Sequence, residues 1–319
     1  MKLKLIPSDT KIPFLKYRFM TFGASALLIL LSVFMFFGPG LNKGIDFEGG
    51  IMIEVGFEKA PDLADMRSAL GGLGLGSVSL QTFGASDDIL IRVQRQDGDN
   101  EAQKVAVDTV KARLQADYGD SVSYRRIEFV GPTVSGELVK TAVEAVLVSV
   151  FAILIYIWLR FEWHYSIGAI AALVHDVILT IGMFAITGLE FNVASVAAIL
   201  TIVGYSINDT VVVYDRIREN FRRYKKMDVS DLLNLSINET LSRTVITSLT
   251  TLLALIALFV FGGEVIRGFA AAMIFGVVVG TYSSIFVAAP ILLQMGLKHY
   301  NEADDAFKPT GDDAYENES

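Results

Sequence analysis

The sequence predicts a multi-pass α-helical membrane protein of six transmembrane helices, with a small α+β domain inserted between the first and the second. Three observations carry this expectation. The chain of 319 residues is 52% hydrophobic and only 19% charged, where a soluble domain has about 25% charged residues. Its apolar residues gather in long runs instead of being spaced for a water-facing core. Six of those runs reach the roughly 20 residues that a helix needs to cross about 30 Å of hydrocarbon.

Residues 1–16 form a basic lead with Lys2, Lys4, Lys11 and Lys16. The first span follows at 17–37. Its apolar part is too long for a signal-peptide core, and Phe36-Phe37-Gly38-Pro39-Gly40 lacks a small-residue cleavage site, so an uncleaved anchor is expected. The remaining spans are predicted at 138–159, 165–187, 192–213, 244–261 and 268–293. A basic loop over 214–243 joins the fourth span to the fifth. Its second half, with Leu232, Leu233, Leu235 and Ile237 among polar residues, predicts a helix lying along the membrane interface. An acidic tail over 299–319 has almost no apolar content and is expected to be disordered.

Basic residues orient the spans. With the N-terminus in the cytoplasm, Arg160, the cluster Arg216, Arg218, Arg222, Arg223, Lys225 and Lys226, and Lys298 all fall on that side. Both termini are then expected in the cytoplasm and segment 38–137 on the opposite, periplasmic side. Trp158, Trp163 and Tyr165 flank a cytoplasmic turn as an interfacial aromatic belt does.

Within 38–137, alternation predicts strands at 51–57, 77–83, 89–93 and 121–130. Helices are predicted at 62–70 and 100–118, the second burying Val105, Val107, Val110 and Leu114. The order βαββαβ is that of a ferredoxin-like domain. Gly71-Gly72-Leu73-Gly74-Leu75-Gly76 follows a helix and precedes a strand, the reverse of a nucleotide-binding context, and reads as a connector.

The chemistry rests on ionisable groups inside spans, which cost about 2.5–3.5 kcal/mol to insert and are functional candidates by default. Asp209 follows Asn208 near the end of the fourth span, and Arg243 opens the antiparallel fifth. The two can meet at similar depth, with Thr247 and Thr251 continuing the face of Arg243 as a hydroxyl stripe. A carboxylate, a guanidinium and hydroxyls would make an ion-coupling site, where a change of partner loads and unloads a proton. The alternatives are an Arg243 that reaches to the interface and an Asp209 that is a buried structural partner. His175 and Asp176, mid-way along the third span, are a possible relay, or an internal pair packed against another helix. Ala272, Gly276, Gly280 and Ser284 recur every fourth residue on the sixth span, a seam for helix packing. Lys140 and Glu144 read as a solvated pair.

No nucleophile elbow or nucleotide loop occurs, and His164, His175 and His299 lack ligand spacing. No enzyme activity, metal or cofactor is expected, and the chain lacks a basic nucleic-acid surface. Work would come from a partner or an ion gradient. One charge crossing ~100 mV yields ~2.3 kcal/mol, enough to bias a two-state domain movement, with hinges expected at Gly38, Gly40 and Gly131-Pro132.

Several strings together carry a specific likeness. Gly44-Ile45-Asp46-Phe47-Glu48-Gly49-Gly50 follows the first span, and Val203-Gly204-Tyr205-Ser206-Ile207-Asn208-Asp209-Thr210 lies in the fourth. Ser242-Arg243-Thr244 with Thr247-Ser248-Leu249-Thr250-Thr251 opens the fifth, and Gly280-Thr281-Tyr282-Ser283-Ser284 lies in the sixth. The chain resembles the SecF members of the SecD/SecF family of protein-export membrane proteins, similar to the resistance-nodulation-division superfamily, from its first span to its sixth. One departure is Tyr214, where many members carry Phe.

The resemblance implies pairing with SecD in a twelve-span assembly and association with the SecYEG translocon. It also implies a role in late translocation of unfolded polypeptide, driven by a proton or sodium gradient. By the same resemblance Asp209 and Arg243 are the coupling groups, a further Asp comes from SecD, and Gly44, Asp46, Phe47, Gly49 and Gly50 are the family signature. The alternative function is an ion-driven exporter of small molecules or lipids, which would normally carry about twice the spans in one chain.

Overall fold

The computed structural model describes residues 10–98 and 100–296; the acidic tail lies outside the described residues. Among them are six helices long and apolar enough to cross a membrane, over Phe14–Phe37, Thr133–Arg160, Trp163–Thr187, Val193–Arg223, Val229–Phe261 and Ile266–Gln294. The helices are α1 (Arg18–Phe37), α2 (Ile45–Glu48), α3 (Leu63–Gly71), α4 (Asn100–Tyr118), α5 (Pro132–Arg160), α6 (Trp163–Thr187), α7 (Val193–Arg223), α8 (Val229–Phe261), α9 (Glu264–Ser283) and α10 (Ala289–Gln294). A π-helical turn, Ser284–Ala288, joins the last two.

Between α1 and α5 sits an antiparallel sheet of β1 (Gly50–Phe57), β2 (Val78–Phe83), β3 (Ala85–Val93) and β4 (Val122–Val130), in the order β2-β3-β1-β4. With α3 and α4 this is the βαββαβ arrangement expected. Alternate residues Ile51, Ile53 and Val55 of β1 and Ile89, Ile91 and Val93 of β3 are buried with Met66, Leu70, Val110 and Leu114 of the helices. Val105 is the exception to the predicted helix face, at 59% exposed. It stands two residues from Val107, about 200° around a 3.6-residue helix, and Ala106 takes the buried place.

Local signals set the helix ends. Asp62 accepts from the amides of Ala64 and Asp65 at the start of α3. Asn192 and Ser195 form a reciprocal capping box at the start of α7, and the left-handed Gly188 closes α6.

In the bundle α6, α7 and α9 are central, with 56%, 44% and 61% of their most apolar windows buried, whereas α5 has 6%. The exposed side of α5 therefore faces lipid or another chain. Close approach is made by small residues. A Cβ at Gly182 of α6 would lie 2.8 Å from Ser32 Cα of α1, so Gly182→Val is expected to force α1 away. Overpacking of this kind costs about 1–3 kcal/mol, to be read as a lower unfolding temperature of the purified protein. An unchanged temperature would mean that the α1–α6 contact is loose. The seam on α9 meets α7: Gly276 lies against Ile202, and a Cβ at Gly280 would be 3.3 Å from Ser206 Cα.

The stretch 214–243 differs from its predicted form. Residues to Arg223 continue α7, and α8 begins at Val229, so only a short turn separates the two helices. Leu232, Leu233 and Ile237 are fully buried against Phe14, Leu15, Tyr214 and Ile217, so the helix stands upright in the bundle and does not lie along its surface. The segment before α1 holds it there, with the Ile12 and Leu15 amides donating to Asn238 and Asn234 side chains at 2.9 and 3.1 Å. Tyr214 uses its extra hydroxyl to donate to the Ala288 carbonyl at 3.2 Å.

Candidate functional site

Two buried carboxylates on neighbouring spans are tied to the same place on a third. Asp209 of α7 accepts from Thr244 Oγ1 of α8 at 2.8 Å and from Ser284 Oγ at 2.7 Å. Asp176 of α6 accepts from Ser283 Oγ at 2.7 Å, from Ser206 Oγ of α7, and pairs with His175 Nδ1 at 2.8 Å. Ser283 and Ser284 are consecutive, and Ser284 begins the π-helical turn. Such a turn sets neighbouring side chains at angles a regular helix does not offer, and it recurs at functional sites. Ser283 ends the regular helix and Ser284 opens the turn, and consecutive side chains about 100° apart reach carboxylates on different helices.

Asp176 is fully buried and Asp209 is 9% exposed. Around them Thr180 donates to its own helix at Asp176 O, and Ser248 pairs with Thr281 at 2.7 Å. The His175 ring stacks on Tyr282 at 6.0 Å, whose hydroxyl reaches Thr21 O and Ser25 of α1. His175 Nε2 is buried without a hydrogen-bond partner. The cluster thus spans five helices and places protonatable groups among hydroxyls that can donate or accept. Among the described residues no group of three or more acidic or histidine side chains gathers as a metal site.

Arg243, Asn208 and Thr247 are exposed, on the flank of the bundle beside Asp209. No hydrogen bond or ion pair joins Arg243 to Asp209 among the described contacts, and Thr247 donates to the Arg243 carbonyl at 2.9 Å. The α8 hydroxyl that reaches the carboxylate is Thr244, and Ser248, one turn on, is buried against Thr281. The expected stripe of Thr247 and Thr251 does not meet Asp209 among the described contacts. Sequence reasoning missed Thr244 and Ser206 as partners, took Ser284 only as part of a packing seam when its hydroxyl donates to Asp209, and missed Ser283. A tandem serine in an apolar span was the available signal for the last.

Removing the donor in Ser284→Ala is expected to destabilise the protein by about 1.5–3 kcal/mol if it bonds a charged carboxylate. The Asp209→Asn and Ser284→Ala effects should then be less than additive, as measured by unfolding of the single and double variants. Strict additivity would remove the bond from the account.

The signature segment closes the other end of α7. Gly50 opens β1 with φ 125°, and a Cβ there would lie 2.7 Å from Val93 O, so glycine is required. Asp46 Oδ2 accepts from Val193 N at 3.0 Å, the first amide of α7, and Phe47 packs on Phe191 with ring centroids 5.7 Å apart.

Comparison with known proteins gives a consistent set of likenesses. A family profile described as protein export membrane protein SecD/SecF, C-terminal, matches residues 109–298, and the SecD/SecF GG motif matches residues 34–61. The chain is 46% identical over 300 residues to the protein translocase subunit SecF of Rickettsia felis, covering 94% of this chain and 97% of that one. It is 44% identical to the same subunit of Rickettsia prowazekii, over 94% and 96%. Among solved structures it resembles SecDF, a translocon-associated membrane protein from Thermus thermophilus, with TM-score 0.82 and 37% identity over 91% of this chain. It spans 39% of that chain. Against SecDF in a super-membrane-facing form the TM-score is 0.66, at 37% identity over 90% of this chain.

Proposed function

This chain belongs to the SecD/SecF family of protein export membrane proteins, and on that premise we propose that it is the SecF-type half of an ion-driven accessory complex for protein export. Its partner in this reading is a SecD-type protein, and the complex works beside the SecYEG channel on unfolded polypeptide. The chain lies in the inner membrane with both termini cytoplasmic and the sheet domain in the periplasm. It carries out no covalent chemistry of its own.

The observation that carries the reading is Asp209, buried among hydroxyls of two other spans yet next to an exposed flank bearing Asn208, Arg243 and Thr247. An intramembrane charge is costly unless it is paired or faces a cavity. A half-site of this kind, with Arg243 turned outward, suits a partner that supplies the complementary carboxylate. Support for such a partner comes from SecDF, of whose chain this one matches a part. Protonation of Asp209 would convert it from acceptor to donor and rearrange Thr244 and Ser284. Asp176 and His175 are then a second protonatable station, reached through the Ser283-Ser284 step. The test is pulse-labelled export of a secretory precursor in cells depleted of their own subunit and supplied with this chain. Restored export supports the assignment; failure with a matched SecD-type partner present rejects it.

A further inference from the structure

Besides the chain crossings at Gly38–Gly40 and Gly131-Pro132, the extramembrane domain is fastened to the bundle through the loop between α6 and α7. Gly44 N donates to Phe191 O at 2.9 Å and Phe191 N to Asn42 O at 2.8 Å, so that Lys43 and Phe191 form a parallel β-bridge. The Asn42 side chain donates to Gly188 O at 2.8 Å. Arg92, in the middle of the sheet on β3, donates to Asn42 Oδ1 at 3.1 Å and forms an ion pair with Glu190. That pair is largely sheltered, with side chains 15% and 23% exposed. Burial pushes the Glu190 carboxyl up, and the Arg92 charge works against that shift.

The Asp46 contact reaches the first residue of the membrane helix α7. Its donor partner, the Val193 amide, is 147 positions away in sequence, so the bond does not serve the local turn of the signature. A carboxylate at a helix N-terminus is favoured by the helix dipole and by amides that have no partner within the helix. From Val193, α7 runs without interruption past Asp209 to Arg223. The distance from Val193 to Asp209 is therefore about 24 Å at 1.5 Å per residue. A continuous helix carries a shift at one end to the other.

We propose that Asp46 is a positioning residue for the ion-coupling span: through it, with Arg92–Glu190 beside it, the extramembrane domain sets the placement of α7 and hence the surroundings of Asp209. The inference rests on the reading of Asp209 as the coupling carboxylate, and it assigns the family signature a mechanical task. Movement of the domain and rearrangement at Asp209 are then two ends of one coupled change, and coupling of this kind acts in both directions.

The experiment measures the rate at which a membrane-permeant carbodiimide modifies Asp209 in isolated membranes, read by mass spectrometry of the peptide that contains it. Asp46→Ala and Arg92→Met are each expected to change that rate by about fivefold or more, the lower end of typical couplings between sites. Asp46→Asn keeps an amide oxygen in place to accept from Val193 N and is expected to label as wild type. In the reverse direction, Asp209→Asn should alter the thiol reactivity of Lys43→Cys, in a chain with no cysteine of its own. Wild-type labelling rates in both Asp46→Ala and Arg92→Met, at normal membrane levels, would overturn the proposal. If Asp46→Ala fails to accumulate, Arg92→Met decides. The readout does not use export, so a finding that Asp209→Asn exports normally would remove the coupling role of Asp209 and leave the labelling result to decide on Asp46.

Discussion

Export in cells depleted of their own subunit is expected to stay at the depleted level when this chain carries Asp209→Asn, and to recover with the unaltered chain at equal membrane abundance. The asparagine matches the carboxylate in size and offers Oδ1 to Thr244 or Ser284, the two donors that Asp209 now holds at 2.8 and 2.7 Å. Packing around α7 therefore survives. What is lost is a group that can exchange a proton and change its charge, the means by which the proposed mechanism lets an ion gradient act on α7. One charge across ~100 mV is worth ~2.3 kcal/mol, enough to shift a two-state equilibrium by more than tenfold. Arg243→Met should fail for a different reason, because in the proposed assembly its exposed guanidinium is the group offered to the partner. Normal export by Asp209→Asn would place the coupling elsewhere. Normal export by Arg243→Met alone would mean that Arg243 reaches only to the membrane interface.

Asp176→Ala should give the largest loss of stability of any single change in the bundle. It removes the carboxylate shared by three buried groups, the Ser206 and Ser283 hydroxyls and the His175 ring, of which Ser283 keeps a second acceptor in the Gly280 carbonyl at 3.1 Å. An unsatisfied buried donor costs about 1–3 kcal/mol, and these three link α6, α7 and the end of α9. Poor accumulation and a strongly lowered unfolding temperature are the expected readings; near-normal values would mean that the serines find other partners. Asp176→Asn separates fastening from proton handling. It retains the shape and is expected to accumulate while exporting poorly. Full export by that variant would leave Asp176 as a fastener only and remove the relay.

The positions of particular residues show where sequence reasoning ran out. Asp209 stood out because a carboxylate in an apolar run is costly, and that argument needs no knowledge of its neighbours. Its partners needed more. Arg243 and Thr244 are adjacent, and a single step along a helix turns by about 100°. Which of them faces Asp209 depends on the rotation of α8 about its axis, set by the packing of Leu232, Leu233 and Ile237. The same residues were misplaced as an interfacial helix, because apolar residues spaced among polar ones look alike against lipid and against protein. Val105 lies one position outside the buried stripe, beside Ala106 and Val107.

By itself the sequence determined the six spans, the βαββαβ order of the inserted domain, and the candidate carboxylates. These follow from run length, alternation and the cost of burying charge, which are properties of a segment and not of its neighbours. Only the tertiary structure decided that Ser283 and Ser284 divide between Asp176 and Asp209, that Arg243 faces outward, and that Asp46 caps the helix carrying Asp209. Each of those is a relation between helices brought together by packing, and a side chain's direction there depends on helix rotation, a π-helical turn and a loop contact that no local pattern encodes.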